Sequence, residues 1–163
     1  MLLAQTGNVV GRQASIPHGY AVRPYTPDDA AALARLYFAA YPPGVACATL
    51  DEARDDLAAT FSGKYGELWL AASPVVLRDD DLVAAVLTVR RGSWEHAPDC
   101  PYIIEVFTAA AQRRRGLARA AIQAAMAVLH AAGETRVALT VEDTNAPARA
   151  LYHSLGFVGV EGT

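Results

Sequence analysis

Three consecutive arginines and a glycine, Arg113 to Gly116, are the residues whose types and order most clearly suggest chemistry in this chain. They follow an apolar run at residues 102–108 that is typical of a strand, and they precede an alanine-rich stretch that is typical of a long helix. The N-terminus of a helix carries backbone N–H groups without intrahelical acceptors, and a glycine lets a ligand approach the backbone closely. A solvated helix start is the alternative, but three cations there oppose the helix dipole unless an anion is bound. The segment therefore predicts an anion-binding site.

Asn145 and Tyr152 form a second pair with informative spacing. They lie seven positions apart around a predicted helix, which is about two turns, so both side chains can face the same side. Each residue also has a purely structural interpretation. Asn145 is a good N-cap, and Tyr152 is suited to a half-buried position between a helix and a sheet.

The elements around these residues predict one mixed sheet. The pattern indicates a strand, two helices, paired hairpin strands, and then strand–helix–strand–helix–strand. Strands are predicted at residues 20–25, 67–72 with 75–78, 82–90, 102–108, 136–141 and from 156, and helices at 28–40, 50–61, 114–132 and 147–155. The late strand–helix–strand crossover favours parallel pairing, and the hairpins favour antiparallel pairing. Residues 1–19 are predicted to be an N-terminal extension with a short strand at 8–10, and residues 20–163 to be a single domain.

Composition narrows the class of protein. A chain of 163 residues with 53% hydrophobic content is expected to fold as one globular domain. Fourteen basic and seventeen acidic side chains give a net charge of −3, which provides no indication of nucleic-acid binding. Cys47 and Cys100 stand far apart without a Cys/His cluster, which favours free thiols and no metal site. Apolar runs are too short for a signal peptide or a membrane span, so we expect a soluble, cytoplasmic protein.

Two motifs resemble those of the GNAT acyltransferase superfamily. Residues 113–118, RRRGLA, are similar to the pyrophosphate loop Q/R-x-x-G-x-G/A of that family, in the same strand-to-helix context. Residues 145–157, NAPARALYHSLGF, match its N-x6-Y spacing and LYxxLGF ending. The resemblance covers residues 102–157 by motif and residues 20–100 by the order of elements. It implies an α/β (α+β) fold with a mixed, mostly antiparallel central sheet of about six to seven strands and helices on both faces.

The resemblance also implies roles for these residues, with acetyl-CoA as cosubstrate. The end of the strand would hydrogen-bond the pantetheine arm through Val106, Phe107 and Thr108, and one N–H would polarise the thioester carbonyl. The pyrophosphate would be held by Arg113, Arg114, Arg115, Gly116, Leu117 and Ala118. Asn145 would contact the cofactor arm, and Tyr152 would contact it and protonate the departing thiolate. A phenol with a pKa near about 10 needs local help to do so.

Glu105 is the best candidate for the general base. A primary alkyl ammonium has a pKa near about 10.4 and must lose a proton before it attacks. An acid inside an otherwise apolar strand requires an explanation, and Glu105 is such a residue. The alternative is an ion pair with Arg90, Arg91 or an arginine on the cofactor side, and both interpretations stay open. Family members that acetylate protein N-termini carry a glutamate where this chain has Thr140, so that subclass is less favoured.

The less regular segments are expected to determine the amine acceptor. Residues 41–47 occupy a position that often lines the acceptor cleft in this family. A cationic amine could be attracted by acids that could equally be ordinary N-terminal helix residues, namely Asp51, Glu52, Asp55 and Asp56. A loop with Trp94, Glu95 and His96 could reach the cleft mouth.

The C-terminal end departs from the family pattern. Only six residues follow Phe157, where the family usually has a further strand. The acceptor site is therefore expected to be open, completed by a second protomer in a possible homodimer, or completed by the N-terminal extension.

The sequence thus predicts an acetyl-CoA-dependent N-acetyltransferase. Direct attack in a ternary complex by a small-molecule or peptide amine requires no cysteine nucleophile and no metal, and neither a nucleic acid nor a membrane is an expected partner. The alternative is a degenerate member that binds acyl-CoA as a sensor or scaffold without turnover.

Overall fold

A seven-stranded sheet forms the centre of the computed structural model, which describes residues 1–12 and 15–160. The strands are β1 (Leu2–Gln5), β2 (Tyr20–Pro24), β3 (Pro74–Arg78), β4 (Asp81–Val89), β5 (Tyr102–Thr108), β6 (Arg136–Leu139) and β7 (Val158–Gly159). Their order across the sheet is β2-β3-β4-β5-β6-β1-β7. Only the β5–β6 pair among these strands is parallel, which confirms the predicted mixed, mostly antiparallel sheet.

Four α-helices cover the two faces of this sheet. Helices α1 (Ala30–Ala40) and α2 (Leu50–Phe61) pack on one face, and α3 (Leu117–Ala131) and α4 (Ala146–Ser154) pack on the other. Apolar side chains of β4 alternate between the two faces, so both faces must be buried. Ala84 and Val86 lie in the core on the α3 side, whereas Ala85 and Leu87 lie in the core on the α1 side. None of the described helices has the length and apolar character needed to cross a membrane.

The N-terminal segment differs from the prediction. Residues 6–9 form a 3-10 helix rather than the strand predicted at 8–10, and the strand lies earlier, at Leu2–Gln5. This strand pairs with β6 on one side and β7 on the other, because Leu2 and Ala4 bury their side chains in the core beneath α3. The N-terminal segment therefore supplies the strand beside β6, while its part in completing an acceptor site stays a prediction. Residues 13–14 and 161–163 of the predicted extension and domain lie outside the described residues, and the boundary at residue 20 stays a prediction.

The strand predicted at residues 67–72 is also wrong. This stretch makes a single bridge between Leu68 and Val89 and then a 3-10 helix at Leu70–Ala72. The backbone turns here because Ser73 N–H donates to Leu70 O at 3.0 Å while the Ser73 hydroxyl donates to Trp69 O at 2.9 Å. Pro74 then begins β3, so the hairpin partner of β4 is shorter than the sequence pattern indicates.

Candidate active site

A gap opens between β5 and β6 towards their C-terminal ends. The two strands pair only at Tyr102 with Ala138 and at Ile103 with Leu139, whereas β5 continues to Thr108. Ala109 N–H donates to Val83 O of β4 at 2.8 Å, and N–H groups alternate along a strand. The N–H groups of Val106 and Thr108 therefore point into the gap.

Phe107 has a different placement from its two neighbours. By the same alternation its backbone groups face Ala85 of β4, its partner in the ladder. Its side chain is buried in the core on the α1 side, where its ring meets the edge of Tyr37 at a centroid distance of 5.4 Å. Of the three predicted backbone contacts, only Val106 and Thr108 present their N–H groups to the gap.

The loop at residues 109–116 and the N-terminus of α3 directly follow β5, at the C-terminal end of this gap. The predicted helix start at residue 114 is three residues early, because Arg114 at φ +62° and Gly116 at φ +77° keep the arginines in a loop. The first helical bond runs from Ala120 N–H to Gly116 O at 3.0 Å, so Leu117, Ala118 and Arg119 have N–H groups without intrahelical acceptors. The side chain of Leu117 is buried and anchors this turn. The exposed loop and helix start together form a cradle suited to an anion.

The three arginines are not equivalent. The Arg113 guanidinium donates to the carbonyl of Ala40, the last residue of α1, and to Thr108 O at 3.4 Å. Among the described residues, the side chains of Arg114 and Arg115 make no hydrogen bond, and both are exposed. Arg113 therefore ties the loop to α1, while Arg114 and Arg115 are exposed in the same loop.

Helix α4 places Asn145 and Tyr152. The Asn145 side-chain oxygen accepts from Ala148 N–H at 3.2 Å and caps the helix, which leaves its amide nitrogen as a donor for a ligand. Tyr152 is 7% exposed, and its ring meets the edge of Phe157 at a centroid distance of 5.8 Å. Both structural interpretations are thus observed, and neither occupies the groups that catalysis or cofactor binding would use.

A β-bulge positions Glu105. In the ladder Leu87 pairs with Glu105 and Thr88 pairs with Ile103, so β5 has one extra residue, Ile104, at this point. Such a bulge redirects the side chains beside it. Glu105 faces the end of α1, where the hydroxyl of Tyr41 donates to its Oε2 at 3.1 Å.

The surroundings of Glu105 change its acidity. Burial raises the pKa of Glu105 to about 6, the Tyr41 hydrogen bond opposes that rise, and the charge of Asp56 adds to it. The ion pairs considered for Glu105 do not form with the two arginines of the β4–β5 loop. Arg90 pairs with Glu67 at 3.0 Å, and Arg91 pairs with Asp99 at 2.9 Å and with Glu134 at 3.0 Å. The carboxyl group of Glu105 therefore titrates close to neutral pH without a cationic partner among these residues.

Two phenols lie in the same electrostatic environment. Burial, followed by the charge of Glu105, raises the pKa of Tyr152 to about 12. The same two causes, in the same order, raise the pKa of Tyr41 above its ordinary value. Both hydroxyl groups are therefore protonated at neutral pH and are available as donors. The structure thus brings together Tyr41, which directly follows α1, Glu105 of β5 and Tyr152 of α4. The sequence could place these residues only on separate elements.

Tyr37 was not predicted as a site residue, and Tyr41 was predicted only as the first residue of the 41–47 segment expected to line the acceptor cleft. Their rings meet edge to face at a centroid distance of 5.6 Å, and Tyr37 donates to Asp56 Oδ2 at 3.1 Å. The signal that could have identified them is the spacing of two tyrosines four positions apart at the end of a predicted helix. Asp56 is also held by Lys64 at 3.2 Å, whereas the other predicted acids of α2 are exposed at its surface: Asp51, Glu52 and Asp55.

The loop between β4 and β5 lies away from these groups. Trp94 packs edge-on against Tyr102, the first residue of β5, at a centroid distance of 4.8 Å. Glu95 and His96 are exposed beside each other. Thr140 lies next to the hydroxyl of Tyr102. This loop therefore covers the start of β5, while Glu105 and the gap lie further along β5, towards its C-terminal end.

Comparison with known proteins adds independent observations. The model of the Acetyltransferase (GNAT) family matches residues 30–157. Mycothiol acetyltransferase from Beutenbergia cavernae is 40% identical over 101 residues, which are 60% of this chain and 32% of that protein. The chain thus spans less than half the length of this curated relative.

Solved structures show the same fold. A GCN5-related N-acetyltransferase from Sphaerobacter thermophilus superposes with a TM-score of 0.68 at 19% identity, covering 96% of this chain and 46% of that one. The aminoglycoside N-acetyltransferase AAC(6')-Iy, solved in complex with CoA, superposes with a TM-score of 0.68 at 18% identity, covering 91% of this chain and 95% of that one.

Proposed function

The chain belongs to the GNAT acetyltransferase family, and from this premise we propose that it transfers an acetyl group from acetyl-CoA to a primary amine by direct attack in a ternary complex. One observation carries the proposal. The carboxyl group of Glu105, with a pKa of about 6, lies on the part of β5 beyond its pairing with β6, and its charge acts on the protonated phenol of Tyr152 on α4. The anion cradle at α3 adjoins the gap between β5 and β6, as a cosubstrate with a pyrophosphate would require.

The residues present fit acetyl-CoA. The N–H groups of Val106 and Thr108 are directed into the gap and suit the amide-bearing arm of the cofactor. The N–H groups of Leu117 and Ala118, with the side chains of Arg114 and Arg115, suit the pyrophosphate. Acetyl-CoA supplies the thioester, and a related fold solved with CoA, the aminoglycoside enzyme AAC(6')-Iy, supports this assignment.

Glu105 is the proposed base. At pH 7 its carboxyl group, with a pKa of about 6, is mostly ionised and accepts a proton from the incoming ammonium. The amine nitrogen then forms a bond to the acetyl carbon, and the bond between that carbon and sulfur breaks. Tyr152 donates a proton to the departing sulfur, and the resulting phenolate takes the second proton that the nitrogen loses as the amide forms. The proton on Glu105 then passes to solvent, so the products are the neutral amide, the free thiol and one proton.

The proton transfers to Glu105 and from Tyr152 are coupled through charge. A phenol with a pKa of about 12 gives its proton to a thiolate of ordinary basicity at a cost of about 5 kcal/mol. Part of that cost comes from the negative charge of Glu105, which raises the pKa of Tyr152. Once Glu105 has accepted the amine proton it is neutral, so the phenol of Tyr152 becomes more acidic when its proton is needed.

The acceptor is proposed to be a small molecule or a peptide with a primary amine. Neither cysteine is needed as a nucleophile: Cys47 lies in the linker between α1 and α2, and Cys100 is buried at the opposite end of β5. The alternative function, acyl-CoA binding without turnover, has the same cradle and gap but assigns no role to the Glu105–Tyr152 pair.

Calorimetric titration with acetyl-CoA tests the cofactor site first. The unmodified protein is expected to bind, and an Arg115→Glu plus Gly116→Asp variant is expected to lose binding without disturbing the Arg113 contact to α1. Thiol release from acetyl-CoA in the presence of a panel of primary amines then tests turnover. Absence of acetyl-CoA binding by the unmodified protein would remove the enzyme proposal, whereas binding without turnover on any amine would favour the alternative.

A further inference from the structure

We propose that Tyr41 is a positioning residue that orients the carboxylate of Glu105 for proton transfer. This inference rests on the proposed function, because it assigns to Tyr41 a task in the reaction for which Glu105 is the base. The hydrogen bond from the Tyr41 hydroxyl to Glu105 Oε2, at 3.1 Å, is the contact that carries it.

The position of Tyr41 is determined by its neighbours. It directly follows α1, and the last carbonyl of that helix, at Ala40, accepts from the Arg113 guanidinium. Its ring packs edge-on against Tyr37, at a centroid distance of 5.6 Å. Two contacts therefore hold the Tyr41 hydroxyl in place. Arg113 fixes the end of α1 just before Tyr41, and the ring of Tyr37 packs against the ring of Tyr41.

The hydrogen bond also distinguishes the two carboxylate oxygens of Glu105 from each other. Among the described residues, Tyr41 makes the one side-chain hydrogen bond to Glu105, and it occupies Oε2. Oε1 is then the oxygen left to receive a proton. Because the bulge at Ile104 only directs Glu105 towards α1, a second contact is needed to orient the plane of the carboxylate.

Several titratable groups face Glu105 from the elements packed against it. They are Tyr37 and Tyr41 of the α1 segment, Asp56 of α2 and Tyr152 of α4. Of these, Asp56 acts on the pKa of Glu105 by raising it, and Tyr41 acts by lowering it. Removing the Tyr41 hydroxyl should therefore shift the titration of Glu105 upward, while the ring that fills the space remains.

Carbon-13 NMR of glutamate carboxyl groups measures this directly, without a known acceptor. The Glu105 signal is identified by its absence in a Glu105→Gln variant, and its midpoint is expected at about 6 in the unmodified protein. In Tyr41→Phe the midpoint is expected to rise by roughly half a unit to one unit. Tyr25→Phe is the matched control, because it removes a tyrosine hydroxyl from the core cluster against which Tyr41 packs, and the charge that acts on Tyr25 is that of Asp29 rather than Glu105. An unchanged midpoint in Tyr41→Phe would overturn the proposal.

Kinetics separates this inference from the proposed function. With an amine that is acetylated, the acid limb of the kcat/KM profile in Tyr41→Phe should move by the same amount as the NMR midpoint, with the KM for acetyl-CoA unchanged. If Tyr41→Phe acetylates the amine and the acid limb of its kcat/KM profile lies at the same pH as in the unmodified protein, the positioning role alone is refuted. A shifted NMR midpoint in a protein that acetylates no amine would refute the proposed reaction, and the role of Tyr41 in it, while leaving the Tyr41–Glu105 contact established.

Discussion

Glu105 is a residue whose ionisation opposes folding. Its pKa is raised from 4.5 to about 6 mainly by burial, so the folded protein holds this proton more tightly than the unfolded chain does. The free energy of unfolding therefore falls as pH rises through the interval between these two values, by about 2 kcal/mol. A candidate catalytic base that costs stability at neutral pH is the trade-off expected of a functional site.

Glu105→Gln should raise the free energy of unfolding at pH 8 by about 1–2 kcal/mol and leave it nearly unchanged at pH 4, where the native carboxyl is protonated. Glutamine still accepts the hydrogen bond from Tyr41, so the main change is the loss of a charge at a partly buried position. Denaturant unfolding at both pH values measures the effect. Glu142→Gln, at an exposed position, is the control and should change stability little at either pH. Equal stability of Glu105→Gln and the unmodified protein at pH 8 would contradict the raised pKa assigned to Glu105.

Tyr152→Phe should lower kcat by roughly 100-fold if the phenol is the proton donor, because general acid catalysis contributes on this scale. The ring keeps its contact with Phe157, so the thermal midpoint should change little. Steady-state kinetics with an amine that is acetylated, together with a melting curve, makes the test. A variant that retains full kcat would exclude Tyr152 as the acid and leave it as a core residue.

At the scale of elements, the loop before α3 is the feature on which the proposed cofactor binding depends. Arg114 and Gly116 both adopt positive φ, which holds the arginines outside the helix and aims the first helical N–H groups at the loop. Anion binding at this loop stays a prediction. The sequence pattern predicted the strand–loop–helix order around Gly116, because a strand, a glycine and a helix are local signals. It did not separate Arg113 from its neighbours, because the partner of Arg113 is a carbonyl of α1, a helix 73 residues earlier in the chain.

Gly116→Ala should weaken acetyl-CoA binding, because the left-handed conformation at φ +77° costs an alanine about 1–2 kcal/mol although its Cβ would meet nothing within 4 Å. Gly133→Ala is a matched control at the other end of α3, with φ +88° and equally open space. Both variants should lose similar stability in denaturant unfolding, but only Gly116→Ala should lose affinity in calorimetry. Equal affinities would show that the conformation of Gly116 does not matter for the cofactor.

For the whole molecule, the first residues of the chain complete the sheet. Strand β1 lies between β6 and β7, so the two ends of the described chain meet at one edge. Leu2 is 7% exposed and belongs to the core beneath α3, the same core that includes Tyr152. The stability of the candidate site is therefore linked to a segment that the sequence pattern assigned to an extension.

Leu2→Ala should reduce the free energy of unfolding by about 2–3 kcal/mol, because it removes a buried side chain from that core. Val10→Ala is the control: Val10 is 59% exposed, and its truncation should cost less than about 0.5 kcal/mol. Chemical denaturation of both variants provides the comparison. An unchanged free energy of unfolding in Leu2→Ala would indicate that β1 does not belong to the cooperatively folded unit in solution.

Features that depend on neighbouring residues could be predicted from the sequence. The strand–loop–helix order around Gly116, the spacing of Asn145 and Tyr152, and the mixed sheet with helices on both faces were all predicted, because periodicity, caps and glycines act locally. The family model supports the same assignment. Contacts between groups far apart in the chain became visible only in the folded structure. Tyr41 reaches Glu105 across 64 positions, the bulge at Ile104 turns Glu105 towards it, and β1 pairs with β6. These contacts depend on packing between elements, and no local pattern of residues specifies them.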